Sequence, residues 1–461
     1  MEILILAVFI IGYIALALEH KIHIDKAAIA LITGVLCWTI FVLGIHSIPE
    51  HLTGLFKEFS GKFTGGEELL NVMFFEHRLL EHLSEISSIL FFLLGAMTIV
   101  ELIDAHEGFN VITDKIKTTN KVKLLWIVSI LTFFLSAGLD NLTTCIVMVS
   151  LLRKLIADTK TRWFFLGIVI IAANAGGAWS PIGDVTTTML WIGGQITVMK
   201  TIASLLLPSF VCLIVPLTIL SFIMKGEVER PSQIQNEKDH PDPTTPRERR
   251  VILALGIGGL LFVPIFKSIT HLPPFMGMLL SLGILWFVTE RMHKSKNQEE
   301  KDNLSVTSVL RKIDTSAVLF FLGILLAVSV IQEIGYLRAM AEFLKTQLGN
   351  VYAINIIIGL LSSIVDNVPL VAGSMGMYDI TAISETSSVW DSHFVKDGPF
   401  WQFLAYCAGT GGSALIIGSA AGVAVMGMEK IDFIWYLKKI SIWAILGYLS
   451  GAGTYYLMFG L

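Results

Sequence analysis

Charged residues are scarce in this chain. Asp, Glu, Lys and Arg make up 15% of its 461 residues, whereas 54% are hydrophobic. A water-soluble globular domain usually carries about 25% charged residues, so the composition excludes a soluble enzyme or a soluble binding module. Most of the chain is therefore predicted to lie in a lipid bilayer.

Cysteine is also sparse, and its placement excludes a disulfide framework or a cysteine metal site. The four cysteines lie in apolar segments without the spacing that such sites need; they are Cys37, Cys145, Cys212 and Cys407. A basic leader is missing too, because the first apolar run follows only Met1 and Glu2. We expect that run to be a retained span rather than a signal peptide.

Long apolar runs dominate what is present. A transmembrane helix needs about 20 mostly apolar residues. Ten such runs lie at residues 3–18, 26–45, 86–103, 163–194, 204–224, 251–269, 275–290, 317–335, 400–427 and 434–459. Two further apolar segments, 124–156 and 351–378, are split by polar residues. The pattern predicts an all-α polytopic membrane protein with no nucleic-acid partner.

Basic residues in the loops predict the orientation. Lys and Arg cluster in four loops, near residues 115–123, 153–162, 247–250 and 291–312. Threading ten crossings through the chain places all four loops on the cytoplasmic side of an inner membrane, with both termini outside. The loop 46–85 is rich in Glu and is predicted to be external.

The two halves of the chain resemble each other. Residues 225–250 carry three prolines and are predicted to form a cytoplasmic linker between the halves 1–224 and 251–461. Three short sequence motifs recur in the same order in both halves. They pair residues 91–95 with 320–323, 135–141 with 361–367, and 174–177 with 409–412. Each half has five crossings and one split segment. The odd number of crossings predicts an inverted repeat, with a substrate site near the midplane on discontinuous helices.

Each split segment is predicted to fold as a re-entrant helical hairpin. The arms of segment 124–156 are interpreted as too short to cross, and its polar tip contains Asp140, Asn141, Thr143 and Thr144. Segment 351–378 turns at Asp366 and Asn367. Helix capping explains these residues in part, but an uncharged residue caps equally well. A carboxylate at the bilayer centre costs roughly 2.5–3.5 kcal/mol, so both acids are predicted to be functional.

A third site lies within the run 163–194. Glycines and Pro181 break the predicted helix near its middle, and unwound backbone at that depth is tolerated where it lines a cavity or is buried in protein. Oxygen groups suited to alkali cations cluster there; they are Asn174, Ser180, Asp184, Thr186 and Thr187. The alternative is a kinked helix that packs through small residues and that Asp184 caps. The equivalent break at 409–422 offers Thr410, Ser413 and Ser419 without an acid.

At these motifs the sequence resembles the NhaD-type sodium/proton antiporters of the ion transporter superfamily, relatives of arsenite permeases and dicarboxylate carriers. The similarity rests on LSAGLDNLTT, ANAGGAWSPIGDVTTTMLWIGG and SSIVDNVPL. It implies a homodimer, an elevator-like movement of a part carrying both hairpins, and export of Na⁺ or Li⁺. The positions that it implies are Asp140, Asn141, Asn174, Asp184, Thr186, Thr187, Ser362, Asp366 and Asn367.

The predicted mechanism is competition of Na⁺ and H⁺ for Asp140 and Asp184, with Asp366 assisting, in a secondary transporter without a cofactor. The nearest rival is an anion carrier on the same fold, for which we would expect an intramembrane Arg or Lys. An intramembrane aspartyl protease is a rival from another class, although its chemistry does not need an inverted repeat. Four further acids are predicted to lie at the membrane interface; they are Glu101, Asp104, Asp314 and Glu333.

Overall fold

The described part of the chain is helical, apart from turns and one isolated bridge. The computed structural model describes residues 1–17, 22, 24–44, 52–61, 67–113, 116–231, 244–294, 296, 304–382 and 388–461. The helices are α1 Glu2–Ala17, α2 Lys26–Gly44, α3 Thr53–Ser60, α4 Glu67–Ala105, α5 Asn110–Thr113, α6 Lys121–Leu139, α7 Asn141–Leu155, α8 Thr159–Ala178, α9 Val185–Ile192, α10 Val198–Ile223, α11 Pro246–Thr270, α12 Pro274–Met292, α13 Val306–Leu310, α14 Thr315–Glu333, α15 Tyr336–Leu348, α16 Val351–Leu361, α17 Asn367–Met377, α18 Pro399–Gly411, α19 Ala420–Glu429, α20 Phe433–Lys439 and α21 Ser441–Phe459.

Among the described residues, eight helices are long and apolar enough to cross a membrane, or nine if one bent pair counts as a single span. Ten crossings were predicted. Seven of the eight lie in predicted crossings, and the eighth is α6, an arm of the first split segment. Three predicted crossings yield no such helix: run 400–427 divides into the short helices α18 and α19, α1 has only 16 residues, and α21 has 19 residues but is not apolar enough. Large apolar side chains on α11 and α12 point outward, as a lipid-facing surface requires; Leu261 and Phe287 are 55% and 70% exposed.

The predicted external loop 46–85 is largely wrong. Residues 67–85 form the first half of the 39-residue helix α4. Their charged residues have helical spacing, which stabilises a helix instead of breaking it. Arg78 pairs with Glu81 one turn later, and His77 lies 3.3 Å from the same carboxylate.

The linker prediction is tested only at its edges, because residues 232–243 lie outside the described part. Residues 246–250, assigned to the linker, are instead the first turn of α11. Pro246 stands at the first helical position, where its missing N–H is harmless. A capping box between Thr245 and Glu248 fixes the helix start.

The helices form two compact units, and each unit draws on both halves of the sequence. The first contains Met1–Phe91, Asp314–Asn350 and Val368–Asp379; the second contains Phe92–Ile313, Val351–Asn367 and Ile380–Leu461. In the first unit, α2 and α14 pack through glycine, since a Cβ on Gly34 would lie 2.5 Å from the carbonyl oxygen of Gly323. Trp38 and Phe41 of α2 belong to the apolar core of this unit.

Glu333 is a buried ion-pair centre of the first unit. Its side chain is 1% exposed and accepts hydrogen bonds from Nε and Nη2 of Arg78 at 3.2 and 2.6 Å. Nε2 of His82 lies 2.8 Å from the same carboxylate. These cationic partners lie on α4, in the part of the chain that was predicted to be a loop.

Two buried histidines lie at helix ends in the second unit. His106 follows α4 and His293 follows α12, and their Nε2 atoms are 2.8 Å apart. Nδ1 of His106 donates to the carbonyl of Leu102 at 2.7 Å, so its Nε2 accepts from His293. Burial lowers the pKa of both side chains, that of His293 to about 4.

Candidate functional site

Asp140 separates the two arms of the first hairpin. Helix α6 ends at Leu139 and α7 begins at Asn141. Asp140 has φ 79° and ψ 158°, a region that glycine adopts readily and other residues rarely. Such a conformation costs about 1–3 kcal/mol and persists where the surrounding structure holds it. This position thus supplies a carboxylate at the expense of backbone strain.

The Asp140 side chain caps helix α7, as predicted. Oδ1 accepts a hydrogen bond from the backbone N–H of Thr143 at 2.8 Å, and Oδ2 accepts from the Thr143 hydroxyl at 2.8 Å. The charge of Asp184 also acts on Asp140. Because Asn caps as well as Asp does, a substitution can remove the charge and keep the cap.

Both ends of the first hairpin meet one short stretch of chain. The N–H of Lys121, where α6 begins, donates to the carbonyl of Gly226 at 3.1 Å; the N–H of Ala157, just after α7, donates to the carbonyl of Glu229 at 2.9 Å. The start of α6 and the end of α7 therefore both lie next to residues 226–229. The interpretation that both arms are too short to cross is wrong, because α6 has 19 residues and is apolar enough to span a membrane.

The span 163–194 is broken, as predicted, by the irregular residues 179–184 between α8 and α9. Glycine allows the break to fold tightly, since a Cβ on Gly177 would lie 2.3 Å from the carbonyl oxygen of Gly183. The Thr187 hydroxyl donates to the freed carbonyl of Ser180 at 2.9 Å. The broken backbone is thus satisfied internally, as membrane depth requires.

Asp184 caps α9 and is 1% exposed. Its Oδ1 accepts from the backbone N–H of Thr186 at 2.8 Å and from the Thr186 hydroxyl at 2.7 Å. Its Oδ2 accepts from Nδ2 of Asn141 at 2.6 Å. All of these donors are neutral, and no described Lys, Arg or His forms an ion pair with Asp184. A buried carboxylate in such surroundings is stabilised by a proton or a bound cation.

Two amides connect the hairpin tip to both broken helices. Nδ2 of Asn141 also donates to Oδ1 of Asn174 at 3.0 Å. Nδ2 of Asn174, which is fully buried, donates to the hydroxyl oxygens of Ser413 and Ser419 at 2.9 and 3.1 Å. The first hairpin, the first broken helix and the second broken helix therefore share one hydrogen-bond network.

The second half of the chain repeats the packing of the first. The Ser136 hydroxyl on α6 donates to the carbonyl of Ala173 on α8 at 2.6 Å. In the same way, Ser362 after α16 donates to the carbonyl of Ala408 on α18 at 2.9 Å. Each hairpin arm is thus fastened to a broken helix by an equivalent serine.

The two breaks have equivalent backbones and different chemistry. Asp184, the N-cap of α9, has φ −149° and ψ 144°; Ser419, the N-cap of α19, has φ −145° and ψ 150°. A carboxylate in the first half therefore corresponds to a hydroxyl in the second, so only the first break carries an acidic side chain.

Comparisons with known proteins show which family the chain belongs to. The family model described as a citrate transporter matches residues 4–391. Sodium/proton antiporter 1 of Arabidopsis thaliana is 46% identical over 447 residues, which are 97% of this chain and 71% of that protein. Sodium/proton antiporter 2 of the same plant is 44% identical over 451 residues, 97% of each chain. The Na⁺/H⁺ antiporter NhaD of Alkalimonas amylolytica is 28% identical over 479 residues, 98% of this chain and 89% of the relative.

The chain belongs to the NhaD-type sodium/proton antiporter family. It is a multi-pass membrane protein and a secondary transporter, not an enzyme, as its sequence predicted.

The structure brings together some of the positions that the family resemblance implies. The shared network contains Asn141, Asn174, Asp184, Thr186 and Ser413. Asp366 is half-buried at the turn before α17, and its charge acts on Asp184. Asn367 is buried as the first residue of α17.

Other predicted positions are engaged elsewhere. The Thr410 hydroxyl donates to the carbonyl of Tyr406 on its own helix at 2.6 Å, outside the network. Thr143 bonds to Asp140, and Ser180 offers its carbonyl to Thr187. The Thr144 hydroxyl is fully buried and has no hydrogen-bond partner among the described residues.

An ion at this site would meet few charged ligands. The described residues contain no group of three His, Cys, Asp or Glu side chains placed to hold a metal ion. A transported Na⁺ would therefore combine a carboxylate with neutral amide, hydroxyl and carbonyl oxygens, which are suitable hard ligands.

Sequence reasoning omitted Ser419 from the candidate set. The signal was available, because residues 174–177 pair with 409–412 and this register places Ser419 opposite Asp184. Of the remaining acids, Asp314 caps α14 by accepting from the N–H of Ala317 at 3.0 Å. Asp104 is exposed near the end of α4, and Glu101 is half-buried one turn earlier.

Proposed function

We propose that this protein exchanges Na⁺ for H⁺ across a membrane through Asp140 and Asp184. The observation that carries the proposal is the buried Asp184 carboxylate, which is held by neutral donors, one of them Asn141 at the tip of the first hairpin next to Asp140. The names of its curated relatives, sodium/proton antiporters of a plant and of bacteria, support the same activity.

The exchange follows from the charge of the site. Taking a carboxylate out of water disfavours its charged form, so Asp184 is neutralised either by a proton or by Na⁺. Na⁺ entering the site displaces protons, and protons entering from the other side displace Na⁺. An empty, charged site moves through the bilayer poorly because of its desolvation cost. Exchange is then obligatory, and an inward proton gradient drives Na⁺ out.

The neutral groups have separate tasks. Asn141 and Thr186 orient the Asp184 oxygens so that the remaining lone pairs face the ion. Asn174 accepts from Asn141 through Oδ1 and fixes the distance between the hairpin tip and the second broken helix. Asp366 contributes negative charge from the second hairpin.

We propose that the two halves form an inverted repeat, that both hairpins are re-entrant, and that the part carrying them moves in elevator fashion within a homodimer. We also propose Li⁺ as a second substrate, an inner-membrane location and external termini. The matching serine contacts and cap geometries of the two halves support the repeat.

The test uses proton-loaded vesicles containing the full chain and a pH-sensitive dye. Wild-type vesicles should release protons on addition of Na⁺ or Li⁺, whereas Asp140→Asn and Asp184→Asn should lower that release at least tenfold. The matched control is Asp158→Asn: Asp158 is an exposed cap that accepts from the N–H of Thr161 at 2.8 Å. All three substitutions keep a capping side chain, so only the position of the lost charge differs.

The second candidate is anion transport, which the description of the matching family model favours. An anion needs cationic or neutral donors, and two carboxylates at the site would repel it. Adding citrate, succinate or arsenite to the same vesicles should leave the dye signal unchanged. Anion-driven proton movement without any response to Na⁺ or Li⁺ would replace the antiport proposal.

A further inference from the structure

Glu429 forms a buried charge cluster away from the carboxylates described above. It is the last residue of α19, and its side chain is 2% exposed. One carboxylate oxygen accepts from Nε of Arg153 at 2.5 Å, and the other accepts from Nε of Arg162 at 2.8 Å. Because both oxygens are occupied by guanidinium groups, Glu429 is not placed to bind a cation.

The same residues also hold the end of the α19 backbone. Nη2 of Arg153 donates to the carbonyl of Met428 at 2.6 Å, and Nε1 of Trp163 donates to the carbonyl of Glu429 at 3.1 Å. The last carbonyls of a helix lack partners within the helix and carry partial negative charge. The cluster therefore joins the end of α19 to the end of α7 and the start of α8.

These three helices are the ones that carry the amide network at their other ends. Asn141 begins α7, Asn174 lies in the last turns of α8, and Ser419 caps α19. At 1.5 Å rise per residue, the distance from the cluster to the network is about 18 Å along α7 and α8 and about 15 Å along α19. The helices are thus tied at both ends.

We propose that Glu429 is a positioning residue which, through Arg153 and Arg162, sets the spacing of α7, α8 and α19 and so the geometry of the ion site. This inference rests on the proposed function for the site itself. The carboxylate neutralises two guanidinium groups that otherwise repel each other. Without it, α7 and α8 remain joined by the short connection 156–158, whereas α19 keeps only the bonds from Arg153 and Trp163 to its last carbonyls.

The first test separates ion affinity from maximal rate. Glu429→Gln keeps the side-chain shape and removes the charge. We expect the half-saturating Na⁺ concentration to rise at least threefold, while the rate at saturating Na⁺ stays within twofold of wild type. A variant that only folds less well would lose maximal rate in proportion and keep the same half-saturation. The control is Glu229→Gln, an exposed carboxylate near the same hairpin ends.

A milder variant tests the same cluster in case Glu429→Gln does not fold. Arg153→Lys keeps the positive charge but removes the Nε donor and the fork that spans Glu429 and Met428. It should give a smaller rise in half-saturation than Glu429→Gln. A rise in neither variant, with both folded and active, would overturn the proposal.

A second measurement does not depend on transport. Cys145 lies on α7 one turn beyond Asn141 and is fully buried. In a chain whose other three cysteines are replaced by Ala, N-ethylmaleimide should label Cys145 at least fivefold faster after Glu429→Gln. An unchanged labelling rate refutes the positioning role even if the wild type exchanges Na⁺ for H⁺. Faster labelling in a protein that exchanges neither ion would retain the positioning role and refute the function.

Discussion

The replacement Gly176→Ala tests the close approach of α6 and α8, on which the site depends. A Cβ at this position would lie 2.2 Å from the carbonyl oxygen of Phe133 and 2.8 Å from its carbonyl carbon. Ordinary contact begins at 3.4 Å, and the neighbouring atoms are backbone. The two helices must therefore separate by about 1 Å, because a packed interior cannot absorb the methyl group.

The energetic effect follows from that overlap. Overpacking of this kind costs about 1–3 kcal/mol. Gly138 on α6 provides the matched control, since a Cβ there meets nothing within 4 Å. Ala at that helical position should gain about 0.5–1 kcal/mol relative to glycine. Gly176 is also helical, so the same gain applies to both variants and cancels. The two variants should therefore differ in unfolding free energy by the overpacking cost of about 1–3 kcal/mol, which is at least about fivefold in the equilibrium constant.

The assay is thermal unfolding of both purified variants in the same detergent, followed by dye dequenching in vesicles. Gly176→Ala should melt below wild type and lose Na⁺-driven proton release, because the 3.0 Å bond between Asn141 and Asn174 lengthens when the helices separate. Gly138→Ala should melt at or above wild type and retain activity. If Gly176→Ala melts no lower than Gly138→Ala, the argument from backbone approach is wrong.

Two further predictions concern charged groups away from the ion site. Glu333→Gln should lower stability by about 1.5–3 kcal/mol, because half-buried Arg78 loses its charged hydrogen bonds to Glu333. Glu81→Gln, which removes the exposed partner of the same arginine, should cost at most about 1 kcal/mol, and equal melting temperatures for the two variants would contradict this. Since burial lowers the pKa of His293 to about 4, the folded chain resists the proton that the unfolded chain accepts near pH 6.5. The free energy of unfolding should therefore decrease as the pH falls from 7 to 5. This decrease should be smaller in His293→Gln than in wild type and unchanged in the exposed control His271→Asn. An equal decrease in wild type and His293→Gln would exclude His293 as a cause of the pH dependence.

The chemistry of the site could be predicted from local sequence because charge in an apolar segment is conspicuous. Asp140 and Asp184 could be identified because a carboxylate within a membrane span has a desolvation cost that is tolerated only for a function. The glycines around Gly183 predict a helix break from the sequence alone. The repeat register also pairs Asp184 with Ser419, a hydroxyl that was named at the second break but not included among the candidate site residues.

Other features were predicted incorrectly because a charged stretch of a membrane protein can be either a loop or a helix that is stabilised by ion pairs. The acids and bases of residues 67–85 were interpreted as a loop, although their spacing is helical and their partners stabilise the helix. The buried ion pair of Glu333 was not predicted either. Its ion pair joins residues 255 positions apart, and no local pattern specifies such a partner.

The sequence by itself determined the class of the protein, the approximate positions of most of its spans, and the acids at the two hairpin tips and the first break. These properties depend on local apolarity, on backbone freedom at glycine and proline, and on the cost of burying charge. Only the tertiary structure decided which groups meet: Asn174 with Ser413 and Ser419, and Glu429 with Arg153 and Arg162. Hydrogen bonds act over about 3 Å, so partners more than 200 residues apart are specified by helix packing.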